Sequence, residues 1–418
     1  MTKTNNNQID YILLLGIVAL IVSGLILITS IGVAESIQIT KPDGVLFPEC
    51  GENGVDCFYL VKKRLFHLGL GLIAFFACFK IPYTLWRKLA VPIFGLSFVG
   101  LIVVLIIGSS YNTFAKSWLV IGNNSLQPTE FAKLALIFYL ALWLSRKGEE
   151  IKDFHKGFIS FGILVAISTL PVLLQPDLGS TMIFILIAVT LFYLAGGQKK
   201  HILTAGIGGL IALTLLVSVT EHQKHRVLSY INPTEENCIV KDVYQGETVT
   251  RDYCWQTKQA NIAIGTGGIL GRGLTKGVQK SYWLPQAADD FIFAASAEEL
   301  GFVRTMVLVG LFGLIAYRGF LIAVGAPDRF AKYTAAGITI WIVGQALINI
   351  GVNTALIPIT GITLPFISYG GSSLLATLAA CGILLNISKS VDDYVKPSAN
   401  RRRDRRSPNA QLGSYRRA

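Results

Sequence analysis

Ten long apolar stretches constrain this chain more than any other feature. They lie near residues 11–34, 65–83, 89–108, 130–145, 158–174, 180–196, 202–220, 300–324, 334–357 and 373–388. A helix needs roughly 20 apolar residues to cross a hydrocarbon core about 30 Å thick. Lipid offers no partners to backbone polar groups, so only helices and closed barrels span it. The chain therefore reads as an all-α polytopic membrane protein with about ten transmembrane helices. Composition agrees: 15% of the 418 residues are charged and the mean hydropathy is +0.55. A soluble domain carries about 25% charged residues, so this chain has too little polar surface to cover itself in water. Its apolar content excludes a disordered chain, and six cysteines in 418 residues exclude a small disulfide scaffold.

A secretory signal is the other reading of the first stretch, because Gly32-Val33-Ala34 loosely resembles a cleavage site. Its apolar run is too long for a signal peptide, so a retained span is expected. One set of short loops holds Arg87-Lys88, then Arg146, Lys147, Lys152 and Lys156, then Lys199-Lys200, then Arg329 and Lys332. Basic loops stay cytoplasmic. Both termini then lie in the cytoplasm. Loops 35–64, 109–129, 175–179, 221–290 and 358–372 lie outside, the large one falling between helices 7 and 8. Lys62-Lys63-Arg64 runs against the rule. Residues 1–388 are expected to form one membrane domain, and 389–418 a basic cytoplasmic tail without fixed structure. The tail has nine Lys/Arg against three Asp, about half of the net charge of +12. It has no aromatic interleaving in Arg401–Arg406. Anionic membrane lipid is therefore its favoured partner, and no nucleic acid is expected.

Cys78 and Cys381 fall inside spans. Cys50 and Cys57 share one outer loop, and Cys238 and Cys254 share the long one. Outside the membrane disulfides persist, so bridges Cys50–Cys57 and Cys238–Cys254 are expected. Free thiols in polar loops are the plainer alternative.

Four irregular segments sit at the outer span ends: 116–133, 175–180, 265–299 and 364–373, the last containing Ser368. Irregular backbone near a membrane is tolerated only where protein or water satisfies it, so the four are expected to converge on one cavity. Gly265–Gly273 suggests a phosphate loop, but it does not fit G-x-G-x-x-G. The chain has no Gly-Lys dipeptide for a Walker A loop either. No nucleotide is expected. These glycines read as tight turns beside a bulky ligand, or as a flexible loop without one.

Asp289 and Asp290 are adjacent, so their carboxylates diverge on a helix or a strand and do not straddle a sugar as a glycosidase pair does. Asp290 precedes Phe291-Ile292-Phe293 and borders apolar surface. Desolvation there makes a carboxylate a better base. A helix N-cap is the plainer reading of either aspartate. Glu298-Glu299 open the eighth stretch and are expected to face an interior or a partner. Asp177 either caps the next helix or lines the cavity. Glu130 and Lys133 are three apart on one helix face, as a pair would be. Lys116, Lys133, Arg226, Arg272, Lys276 and Lys280 are outward cations able to hold a pyrophosphate, or a solvated surface. Trp118 and Trp283 are substrate platforms or interfacial anchors.

These same residues resemble the SEDS family (shape, elongation, division and sporulation) over nearly the whole chain. The matching stretches are Ser117-Trp118-Leu119, Leu126–Lys133, Gln175–Ser180, Asn261–Gly273, Leu284-Pro285, Asp290–Phe293, Glu298–Gly301 and Leu364–Ser373. Gln279–Pro285 and Gly361–Pro365 resemble the division-type, FtsW-like members more than the RodA-like elongation members. Two departures stand out. The family pattern Pro-Glu-x-His-Thr/Asn-Asp reads here Pro285-Gln286-Ala287-Ala288-Asp289-Asp290. The segment between Asn232-Pro233 and Trp255-Gln256 is longer than usual and carries a cysteine pair.

The resemblance implies a peptidoglycan glycosyltransferase that polymerises lipid II on the outer face of the cytoplasmic membrane during septal wall synthesis. It implies Asp290 as base. Lys116, Trp118, Glu130, Lys133, Asp177, Arg226, Arg272, Lys280 and Ser368 are candidate substrate contacts. A divalent cation, magnesium or manganese, bridging Asp290 and pyrophosphate is an alternative role for that aspartate. The implied partners are lipid II, the nascent glycan strand, a class B penicillin-binding protein (a transpeptidase) and other divisome proteins. Rival readings are a lipid-linked-sugar flippase, an elongation polymerase and a scaffold without chemistry. A flippase predicts charges spread through the mid-depth of the spans, whereas here they concentrate at the outer ends.

Overall fold

The computed structural model describes residues 9–42, 48–52, 54–109, 117–122, 124–219, 221–244 and 247–391. Each of the ten apolar stretches lies on a helix. In chain order these are α1 (Tyr11–Ile31), α3 (Tyr59–Lys80), α4 (Tyr83–Ile107), α5 (Pro128–Lys147), α6 (Ser160–Leu174), α7 (Leu178–Leu194), α8 (Lys199–Val219), α12 (Ile292–Val324), α13 (Arg329–Asn353) and α14 (Gly371–Ser388). The shorter helices are α2 (Val33–Thr40), α9 (Glu221–Ile231), α10 (Glu235–Cys238) and α11 (Trp255–Gly267). Among the described residues, seven helices are long and apolar enough to cross a membrane: α1, α4, α5, α6 with its preceding turn, α12, α13 and α14. The fold is therefore helical and polytopic.

Local chemistry sets the helix starts. Asp10, Asp177 and Asp328 cap α1, α7 and α13, each accepting a backbone N–H of the first turn. A carboxylate there satisfies donors that a helix leaves orphaned. Pro128 occupies the first turn of α5, where its missing N–H costs nothing.

Burial sorts the helices into layers. The apolar window of α14 is 83% buried and those of α5 and α13 are 72%, against 17% for α4. So α5, α13 and α14 form the inside, and α4 turns its side chains outward. Helix α3 lies along α14, where Gly71 meets Leu378 and Gly382 meets the Phe75 carbonyl with no room for a methyl group. Small residues let helix backbones approach closely where no hydrophobic force drives them together.

Helix α12 breaks at Gly301, whose φ of 75° and ψ of 176° are not helical. The break frees carbonyls of the preceding turn. Glu298 O and Glu299 O accept Arg272 N and Gly273 N at 3.0 and 2.9 Å, and Gly268 O accepts Phe302 N at 2.9 Å. Gly271, with φ 81°, crosses Gly301 so closely that a Cβ on either would collide with backbone of the other. The glycine-rich segment thus braces α12. At Gly267 and Gly271 the tight space is taken up by backbone of α12, whereas Gly265 and Gly268 have open space beside them.

The segment 221–290 is not a plain loop. It contains α9, α10, α11 and a hairpin. The structure has two small antiparallel hairpins: β1 (Leu119–Ile121) with β2 (Asn124–Leu126), and β3 (Ile239–Tyr244) with β4 (Glu247–Asp252) in the large insert. A disulfide joins Cys238 to Cys254 across the base of that second hairpin, and another joins Cys50 to Cys57. Cys78 and Cys381 are free and buried.

The start of α1 and the end of α14 adjoin, with Asp10 N donating to Ser388 Oγ at 3.3 Å and Arg318 gripping the Asp10 carboxylate. The polar cluster described next gathers at the opposite end. Lys116 and residues 392–418 lie outside the described residues, so the expected tail is described only to Val391.

Candidate active site

The turn from Pro285 to Phe291 is held by its carbonyls. Asp290 O accepts Asn349 Nδ2 and Asn353 Nδ2 at 2.8 and 2.9 Å. Asp289 O accepts Ser368 Oγ at 2.6 Å, and Ala288 O accepts Tyr369 N at 3.0 Å. Ser368 Oγ also accepts Leu364 N at 2.7 Å, while Asn349 Nδ2 reaches Ile362 O at 2.7 Å. The turn and the 361–370 segment are therefore stapled into one rigid piece. Buried carbonyls left unpaired would be costly. Ser368, a candidate substrate contact, is spent on this staple. Helix α12 begins at Ile292 with Phe291 at its cap, so neither aspartate is the N-cap that the plainer reading expected.

The two carboxylates diverge into different surroundings. Asp290 faces Arg226 on α9, Asp177 at the start of α7, and Glu35 on α2. Burial pushes its pKa up to about 6, against the lowering pull of the Arg226 guanidinium. Asp289 faces Glu35 and Arg64. Burial pushes it well above the ordinary carboxylate range, and Glu35 and Asp290 add to this while Arg64 opposes it. Arg226 is itself lowered by burial and held up chiefly by Asp290, and its Nη1 donates to Ile359 O at 3.5 Å. The buried Asp177 accepts Ser180 N at 2.9 Å, so it is a cap and a site neighbour at once. Burial raises its carboxyl, against the Ser180 N–H and Lys133. Gly361, at φ 73°, passes Asp290 so that a Cβ there would stand 3.5 Å from Oδ2.

Lys133 is 1% exposed. Its Nζ donates to Glu130 Oε1 at 2.6 Å and Gln345 Oε1 at 2.8 Å, and lies 5.5 Å from the Trp341 ring centre. Gln345 Nε2 reaches Thr363 O at 3.0 Å. This network joins α5 and α13 to the same 361–370 segment.

Other candidates go elsewhere. Arg272 stands 3.6 Å from Glu298, and Lys280 pairs with Glu299, which also accepts Ser30 Oγ at 2.6 Å. Glu298 accepts Val278 N and Gln279 N at 2.9 and 3.0 Å. These four charges shape the 271–280 loop and are not among the groups that act on Asp290. Trp118 bridges Ser109 in antiparallel fashion, and Trp283 O accepts Trp255 Nε1 at 2.9 Å.

Sequence reasoning missed five contributors. Gln345, Asn349 and Asn353 recur every four residues, a polar stripe on an otherwise apolar helix, and that signal was readable. Arg64 read as a loop charge against the orientation rule. It is 1% exposed, inside α3, with Nη2 bound to Phe366 O and Nη1 unpartnered. An ionisable residue within a span points to function. Glu35 carried no signal at all.

A divalent cation needs several oxygen ligands. Among the described residues, Asp290 belongs to no group of three acidic, His or Cys side chains close enough to share an ion. The one such group, Cys238, Asp252 and Cys254, has its sulfurs tied in a disulfide. The side chains do not assemble a cation site around Asp290, and no step is derived through one.

The cell cycle protein family FtsW/RodA/SpoVE matches residues 10–393. Stage V sporulation protein E of Bacillus subtilis (strain 168) is 38% identical over 80% of this chain and 88% of its own length. A "Probable peptidoglycan glycosyltransferase FtsW" of Geobacter metallireducens is 36% identical over 91% of this chain and 94% of its own. Among solved structures, a chain of a peptidoglycan synthase complex coordinating polymerization and crosslinking superposes with TM-score 0.68 at 28% identity. It covers 91% of this chain and 98% of that one. The rod shape determining protein RodA of Thermus thermophilus gives TM-score 0.63 at 27% identity, covering 91% and 97%. The motifs, the helical polytopic fold and these matches agree: the chain belongs to the FtsW/RodA/SpoVE family of cell cycle proteins, the SEDS family.

Proposed function

We propose that this chain is a peptidoglycan glycosyltransferase that polymerises lipid II into glycan strands for the division septum. One observation carries the chemistry: the raised carboxylate of Asp290 faces a half-buried guanidinium, Arg226, at one end of the helical bundle. Relatives with division-protein names at about a third identity carry the substrate class.

The reaction joins a sugar 4-hydroxyl to an anomeric carbon. Asp290 takes the hydroxyl proton as the oxygen–carbon bond forms, because a free hydroxyl is a weak nucleophile. The bond from that carbon to the lipid pyrophosphate breaks, and its electron pair leaves with the pyrophosphate. This leaving group is already a stable anion, so it needs a fixed cation more than an acid. Arg226 stands beside the base and fills that role. Lys133 is held by Glu130 and Gln345 and tunes the Asp177 side of the site.

Ten spans, a site at the outer face, both termini in the cytoplasm and enrichment at the septum complete the reading. The partner is a class B penicillin-binding protein, supported by the solved synthase complex among the structural relatives. The buried charges gather at one end of the bundle, whereas a transport path predicts them at mid-depth. That favours an enzyme over a flippase. The test is labelled lipid II with the purified chain and its cognate transpeptidase. Asp290→Asn is expected to abolish polymer while the protein stays folded, and normal polymer from that variant sinks the assignment.

A further inference from the structure

We propose that the Cys238–Cys254 disulfide positions Arg226: the bridge braces the turn of α9 that carries this guanidinium, so opening it displaces the cation. The inference deepens the reading of Arg226 as the fixed cation of the site and rests on it.

The bridge packs against α9 itself. Cys238 ends α10 and Cys254 caps α11, and both are buried. Tyr253 N donates to Cys238 O at 2.8 Å, and Asp252 Oδ1 accepts Cys254 N and Trp255 N at 2.8 and 3.1 Å. Those bonds set the two half-cystines at the base of the β3–β4 hairpin. From there Cys254 Sγ stands 3.8 Å from Ser229 O on α9. The buried Ser229 in turn donates from Oγ to Arg226 O at 3.2 Å. The sulfur therefore leans on the same helical turn that presents Arg226.

Helix α9 has 11 residues, and a helix that short is marginal without tertiary contacts. On its other side it is tied to the connection after α13. Tyr230 OH donates to Leu356 O at 2.6 Å, and Arg226 Nη1 reaches Ile359 O at 3.5 Å. The residue after Cys254 extends the brace toward the catalytic turn, because Trp255 Nε1 donates to Trp283 O at 2.9 Å. The bridge thus joins the helix of Arg226 to the segment that leads into Asp289 and Asp290.

Opening the bridge takes two electrons and two protons from a dithiol, which becomes a disulfide as the sulfur–sulfur bond breaks and two thiols form. The loop of 16 residues that the bridge closes then regains its freedom. The brace on Ser229 is lost with it.

The experiment measures kcat and the acidic limb of kcat/KM for lipid II polymerisation, using the full chain with its cognate transpeptidase. Cys238→Ala/Cys254→Ala is expected to lose about threefold or more in kcat, because small misplacement of a fixed group is costly. Its acidic limb is expected to move to higher pH, since the guanidinium that lowers Asp290 has shifted. In the Arg226→Gln background the same pair of substitutions is expected to change neither, as for groups that act through one another. Should the cysteine variant fail to fold, folded wild type and Arg226→Gln are reduced in parallel with a dithiol. The second sample then controls for opening Cys50–Cys57. An unchanged kcat and limb on loss of the bridge overturn the proposal, and so does an equal loss in the Arg226→Gln background. If Arg226→Gln alone matches the wild type, the reading of Arg226 fails, and this inference with it.

Discussion

Asp289 and Asp290 share a peptide bond yet answer to opposite sides of the site: Arg64 faces the first and Arg226 the second. Their three neighbouring carbonyls are pinned by Ser368, Tyr369, Asn349 and Asn353. With the backbone fixed, the side chains diverge and only one carboxylate looks toward Asp177 and Arg226. Adjacent acids in one turn thereby do different work.

Activity follows the ionisation of Asp290. Its folded value of about 6 stands above the ordinary 3.8. As a base it must be deprotonated, so kcat/KM should climb as pH rises through about 6. The linkage has the opposite sign for stability. A carboxyl raised on folding contributes stability below its unfolded value that is lost as pH rises through the folded one. Asp290→Asn should therefore melt higher at pH 8, by on the order of 1–2 kcal/mol after allowance for partial solvent contact. A detergent melting curve beside the lipid II assay checks both signs.

Removing Arg226 should move the same limb the other way. Its guanidinium lowers Asp290, so Arg226→Gln should shift the acidic limb to higher pH. It should also cost about tenfold or more in kcat, because the leaving group loses its fixed cation. A pH–rate profile of the variant measures both.

The stripe on α13 should be intolerant of apolar replacement. Asn349→Leu strips one of two donors from Asp290 O and the side-chain donor from Ile362 O, and a buried carbonyl left bare costs about 1–3 kcal/mol. Polymerisation should fall about tenfold to a hundredfold with KM little changed, read from initial rates. Leu347→Ala on the same helix, 60% exposed, should be nearly silent.

The break in α12 should admit glycine alone. Gly301→Ala faces both φ 75° and a collision with the Gly271 backbone, and should fail to accumulate as folded protein. Gly310→Ala, with open space around it, should be tolerated. Size-exclusion profiles of the two variants decide this.

Cysteine accessibility tests orientation. After mild reduction of intact cells, a membrane-impermeant maleimide should label Cys50, Cys57, Cys238 and Cys254. The buried Cys78 and Cys381 should stay unlabelled. Losing the Cys238–Cys254 bridge should loosen its loop by roughly 2–3 kcal/mol, visible as faster proteolysis there.

The sequence by itself determined the helices, because a bilayer enforces a length and an apolarity that any window of twenty residues reveals. It also determined the family, through short motifs, and the divergence of Asp289 and Asp290, through backbone geometry alone. It left open which charges meet them. Arg226 and Lys133 looked no different in sequence from Arg272 and Lys280, yet only the first two act on Asp290 and Asp177. The other two are consumed by Glu298 and Glu299 across the Gly301 break. Arg64 and Glu35 were invisible for the same reason. Electrostatic partnership depends on distance through a packed interior, and helices far apart in sequence set that distance only when they fold together.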